Sequence, residues 1–113
     1  MDRSETAVIP DAVNALLRDA GVTLRWSASG PPTAFVATAT LGPVMGDCPR
    51  GRRDGRGSTL RDATIGAVGS LRSYFVAESA EVGAAGDVMW GDLYAADAEK
   101  MRALVEALRG TWT

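Results

Sequence analysis

Histidine is absent from the 113 residues, and cysteine occurs once, as Cys48. The commonest general base and the commonest metal ligand are therefore missing. One thiol cannot build a zinc cluster within the chain. Serines and threonines occur without a recognisable base to activate them. Residues 42–57 are rich in glycine but carry neither a phosphate-binding loop nor a dinucleotide fingerprint after a buried parallel strand. Asp92 and Asp97 could meet at the start of a last helix, as a hard-cation or acid–base pair. Acidic residues at a helix start are equally what the helix dipole favours. No catalytic, cofactor-binding or metal-ligating residue is assigned, and the chain reads as a non-enzyme that needs no cofactor.

Charge is unevenly distributed. Arg50, Arg52, Arg53, Arg56 and Arg61 fall within residues 47–62, beside Asp47, Asp54 and Asp62. Residues 78–99 hold Glu78, Glu81, Asp87, Asp92, Asp97 and Glu99 and no base. The net charge of −2 argues against a general nucleic-acid coat. It leaves open a local phosphate-binding site on the arginine loop, or a merely solvated connection. Cys48 lies close to Arg50, Arg52 and Arg53, and cations favour the thiolate. With no resolving cysteine, it reads as an accessible and dispensable loop thiol.

The aromatic residues divide by position. Trp26, Tyr74 and Phe75 fall on expected core faces. Met89, Trp90 and Trp112 lie outside the clearest periodic segments and are the candidates for a protein interface, including self-association.

The elements that position these residues follow from periodicity. Ile9, Ala12, Val13, Leu16, Leu17 and Ala20 recur at helical spacing, with Pro10 in the first turn and Gly21 past the end. Val22, Leu24, Trp26 and Ala28 alternate with polar residues, giving a half-buried strand. After the stiff turn Gly30-Pro31-Pro32, Phe35, Ala37, Ala39 and Leu41 give a second strand and a hairpin. Residues 42–57 read mostly as an extended loop, with a weak strand signal at Val44 and Met45. Thr59 and Asp62 form a capping box for a helix that turns Leu60, Ala63, Ala67, Val68, Leu71, Tyr74 and Phe75 inward. Residues 80–86 read as small and flexible, and Val88, Met89 and Trp90 as a short strand or packing segment. Asp97 is expected to cap a last helix carrying Met101, Leu104, Val105 and Leu108, stopped by Gly110.

Residues 10–75 resemble a double-stranded RNA-binding domain. The resemblance is carried by the short helix from Pro10 to Gly21 leading into a strand, by the turn Ser29-Gly30-Pro31-Pro32-Thr33-Ala34-Phe35-Val36, and by Gly55-Arg56-Gly57-Ser58-Thr59-Leu60-Arg61-Asp62-Ala63 opening a helix. It implies a helix–strand–strand–strand–helix core and duplex recognition by shape across two minor grooves. It also implies contacts from the outer face of residues 14–18, from residues 30–33, and from Leu60, Arg61 and Thr64. Thr33 stands where the family has a histidine. Arg61 is the only base where the family has three lysines, and Asp62 opposes it. A weaker likeness is to HicB-type antitoxins, on Phe35-Val36-Ala37-Thr38-Ala39-Thr40, on Gly57-Ser58-Thr59-Leu60-Arg61-Asp62-Ala63, and on Leu71, Tyr74 and Phe75.

The expectation is an α+β protein of one domain over residues 1–113. It comprises a core like a double-stranded RNA-binding domain at 10–77 and an acidic extension with a helix at 78–113. The polar N-terminus and lone cysteine suggest a reducing cytoplasm, and no apolar run is long enough to span a membrane. The expected function is a non-catalytic protein-interaction module that binds a protein or itself. The alternatives are RNA binding through Arg50, Arg52, Arg53, Arg56, Arg61 and Thr33, or a small phage- or plasmid-type inhibitor of a protein partner.

Overall fold

Helix α1, Asp11–Asp19, starts where the Pro10 carbonyl accepts the amides of Val13 and Asn14 at 3.0 Å. It ends at Gly21, whose φ of 75° is the left-handed conformation that glycine adopts without strain. The structure, a computed structural model, describes residues 9–42 and 49–112. Strands β1 (Val22–Ser29), β2 (Ala34–Leu41) and β3 (Gly51–Gly57) follow. They form one antiparallel sheet in the order β1-β2-β3. Helices α2 (Leu60–Ala84) and α3 (Val88–Thr111) complete the α+β fold, with α3 as the extra C-terminal helix. Among the described residues, no helix is long and apolar enough to cross a membrane.

The arginine-rich stretch is a strand, not the extended loop its composition suggests. The weak signal at Val44 and Met45 lies outside the described residues, as does Cys48. Period-two alternation in β3 is hidden because its inward positions are three glycines and Arg53, none of them apolar side chains. A Cβ on Gly55 would sit 2.1 Å from the Ala67 amide nitrogen and 2.3 Å from the Ala63 carbonyl oxygen. β3 therefore lies backbone to backbone on α2, an approach that no other residue permits. Gly57 closes on Asp62 and the Ala63 backbone, and Gly51 lies against the Phe75 and Tyr74 rings.

Helix α2 starts as its sequence suggests, with the Thr59 hydroxyl accepting the Asp62 amide at 3.0 Å. Its buried stripe of Leu60, Ala63, Ala67, Val68, Leu71 and Phe75 faces the sheet and α3. It then continues through the residues that read as flexible. Their small side chains serve close helix packing instead: Gly91 of α3 is buried against Gly83, and the Ser79 hydroxyl donates to the Gly91 carbonyl at 2.7 Å. Gly86, with φ 93°, makes the turn into α3. Val88, Met89 and Trp90 are thus the first turn of a helix rather than a strand. Its cap is Asp87, which accepts the Trp90 amide at 3.2 Å, and not Asp97. Nor does Gly110 stop the helix, which runs on to Thr111.

Val13 and Leu17 of α1, the inward residues of β2, the α2 stripe and Met101, Leu104 and Leu108 of α3 share one buried cluster. α2 lies over β2 and β3, whereas α1 packs on β1 and α3. Beyond Leu24, the inward row of β1 has no helix over it. Trp26, expected in the core, is 39% exposed and touches only the edge of it, with its ring centroid 6.0 Å from that of Phe35.

Phe75 sits over Gly51 at one end of the sheet. Residues 76–84 and the start of α3 therefore project past the sheet by roughly 13 Å at 1.5 Å per residue. The molecule is accordingly long, 56 × 26 × 26 Å.

Candidate protein-interaction surface

The five arginines of the sequence cluster do not form one surface. Arg50 is half-buried and its guanidinium pairs with the Asp97 carboxylate in α3. Arg53 points inward from β3 and lies over the Tyr74 ring, 4.2 Å from its centroid, while donating to the Arg52 carbonyl at 2.8 Å. Arg61 donates from Nε to the Trp112 carbonyl at 2.6 Å, closing the C-terminal end of α3 onto the start of α2. Arg52 and Arg56 remain, on the outer face of the sheet with Arg25 of β1. The register on that face runs Thr23–Thr40–Arg52, Arg25–Thr38–Asp54 and Ser27–Val36–Arg56. Asp54, between the two β3 arginines, accepts from the Thr38 hydroxyl at 2.7 Å.

The duplex-binding surface implied by the resemblance is not assembled. Thr33 is exposed in the β1–β2 turn, and Asn14 and Arg18 are exposed on α1. At the start of α2, however, Leu60 and Thr64 are fully buried and Arg61 is engaged.

The residues singled out as an interface separate. Trp112 is only 7% exposed: its indole packs into the core while its carbonyl receives Arg61, so it is structural. Met89 is 73% exposed and Trp90 41%, both on the projecting end of the α2–α3 hairpin. Val88, 67% exposed, stands with them in the first turn of α3, and Val76, 50% exposed, lies at the base of the projection, next to Phe75 in α2.

Trp90 is held by an aromatic row that runs out from the core. Phe75 is buried, Tyr94 stacks on it with centroids 6.0 Å apart, and Trp90 lies 5.9 Å beyond Tyr94. Such contacts fix ring orientation, so the exposed indole is presented in a set position rather than on a loose side chain. Glu81, Asp87 and Asp92 are exposed around this end, giving an apolar tip with an acidic rim.

Two groups here titrate abnormally. Burial pushes the Asp97 carboxyl up from 3.8, and Arg50 and Lys100 only partly offset this. Burial, then Glu78 and Tyr94, push the Tyr74 phenol up, against the lowering effect of Arg53. Along α3, the Arg102 guanidinium bonds Glu99 and Glu106 and holds the Glu99 carboxyl below its ordinary range. Among the described residues, no group of three or more His, Cys, Asp or Glu side chains could hold a metal ion. No protein-family model, curated protein or solved structure matches the chain.

Proposed function

We propose that this chain is a non-catalytic protein-interaction module that docks a partner protein through the projecting end of the α2–α3 hairpin. One observation carries the reading: three consecutive apolar side chains, Val88, Met89 and Trp90, stand exposed in the first turn of α3 on a projection packed at its base through Tyr94 and Phe75. Exposed apolar groups clustered in this way mark contact sites, and a fixed tryptophan is a typical anchor. The acidic rim favours a partner whose apolar groove is flanked by basic residues. RNA binding is the weaker reading, because Arg50, Arg53 and Arg61 are engaged within the fold.

The test is capture of partners on immobilised protein, with and without nuclease. Capture that survives nuclease and is lost in Met89→Ser/Trp90→Ser supports the reading. Nuclease-sensitive capture that the hairpin changes leave intact refutes it and favours RNA.

A further inference from the structure

The two edges of the sheet are unlike. Along β3, Arg52, Arg53, Asp54 and Arg56 place charge at four of the seven positions, a composition that discourages a further strand. β1 has one charge, Arg25, no proline and no bulge: its pairing to β2 is continuous from Val22↔Leu41 to Ser29↔Ala34. Among the described residues, no backbone hydrogen bond other than the β1–β2 ladder reaches β1. Among the described residues it is an unprotected edge, and its inward row is also incompletely covered. Trp26 and Ala28 are exposed on the second half of the strand. Beside the first half, α1 and β1 border an open cleft of about 710 Å³, lined by Ile9, Leu17, Val22 and Leu24 with Asp11 and Arg18 among its polar residues.

We infer that β1 is a homodimer edge, on which a second copy of this chain adds its own β1 antiparallel, with Trp26 at the two-fold axis. The two halves of the strand complement each other. A two-fold at Trp26 brings the exposed Trp26–Ala28 half of one edge against the cleft half of the other, twice over. Leu24 then faces Ala28 of the second copy and Trp26 faces Trp26, so apolar meets apolar on the inner face. Arg25 faces Ser27 of the second copy on the outer face. Centring the pair one residue earlier, at Arg25, would set the two arginines directly opposite each other, which is unfavourable. Residues 23–29 offer roughly 20 Å of pairable edge at about 3.4 Å per residue. A single short edge pairing with one cleft on each side is a small interface, so the dimer is expected to be reversible in the micromolar range. This surface is distinct from the hairpin end, and its failure would leave the partner-docking reading standing.

Sedimentation equilibrium across the micromolar range tests it. A monomer–dimer equilibrium is expected, weakened about tenfold or more by Trp26→Glu and unchanged by Met89→Ser/Trp90→Ser. Trp26→Cys in a Cys48→Ser background should oxidise to a disulfide-linked dimer, since directly opposed residues on paired strands lie within disulfide reach. This second measurement does not depend on how well Trp26→Glu folds. A monomer at all concentrations overturns the inference. So does a dimer broken by the hairpin changes and not by Trp26→Glu, or a dimer in which Trp26→Cys fails to cross-link.

Discussion

Arg50, just ahead of β3, pairs with Asp97 in the middle of α3, across 47 residues of sequence. The contact ties the sheet edge to the C-terminal helix, which otherwise makes its main contacts with α2 and α1. Both side chains are largely buried, and the Arg50 Nε finds no partner among the described residues. Removing Arg50 alone leaves a carboxylate buried without its cation. Arg50→Met should therefore destabilise the fold by about 3–5 kcal/mol, and the double change Arg50→Met/Asp97→Leu should recover most of that loss. Urea denaturation of the three proteins measures it.

The same pair sets a pH dependence. The folded Asp97 carboxyl titrates above its ordinary 3.8, chiefly through burial. Between those two values the folded state holds a proton that the unfolded state has lost, so this group's contribution falls as pH rises through the window. Wild type should therefore gain stability relative to Asp97→Asn as pH is lowered from neutrality toward 3.8. The difference between their denaturation midpoints should move in favour of wild type along that pH series. A gap that widens in favour of Asp97→Asn at lower pH would contradict the sign.

Glycines of the chain should respond in opposite directions. A methyl group at Gly55 would collide with the α2 backbone, so Gly55→Ala should cost at least ~3 kcal/mol, at the severe end for single changes. Gly69, inside α2, has nothing within 4 Å of where its Cβ would stand. Gly69→Ala should stabilise the protein by about 1 kcal/mol through helix propensity. Thermal melts of both variants distinguish a packing requirement from a backbone preference.

The two tryptophans first grouped as an interface should separate in stability. Trp112→Ala removes a buried indole and should cost about 3–5 kcal/mol. Trp90→Ser lies on the projecting tip and should change stability by about 1 kcal/mol or less, the loss coming from its stacking on Tyr94. Chemical denaturation checks both, and the second value decides whether hairpin variants are clean probes of binding.

RNA should bind weakly. Three arginines, Arg25, Arg52 and Arg56, share the outer face of the sheet. Each phosphate neutralised contributes about −0.9 to the slope of log affinity against log salt, so the slope for an RNA duplex should be no steeper than about −3. Affinity for a duplex of about 20 base pairs should stay weaker than roughly micromolar at physiological salt, in the non-specific range. An anisotropy titration across salt concentrations reads both quantities.

What the sequence made legible was what periodicity encodes. α1, β1, β2 and the start of α2 lie where their apolar spacing and capping residues place them, because each presents one face to the core. β3 was illegible because its inward face is made of Gly51, Arg53, Gly55 and Gly57, which carry no apolar signal, and arginines dominated its composition. The α2–α3 hairpin was illegible for a related reason. Gly83, Gly86 and Gly91 punctuate a sequence read alone, yet here they let two helices touch and turn. The fate of the arginines depended on contacts remote in sequence, Arg50 with Asp97 and Arg61 with Trp112, for which spacing gives no hint. The exposure of Met89 and Trp90 was legible because they sit where no core face was needed.

The docking of α1 on α3 has a consequence for synthesis. α1 is made well before α3, against which part of it packs. Its amphipathic face, with Val13 and Leu17, stays only partly covered until Met101, Leu104 and Leu108 have emerged. The α1 seat therefore cannot be completed segment by segment during translation, because part of it is supplied by α3. Premature termination within α3 would then release a product whose sheet and α2 can pair while α1 hangs unseated, an exposed apolar helix that invites chaperones or degradation.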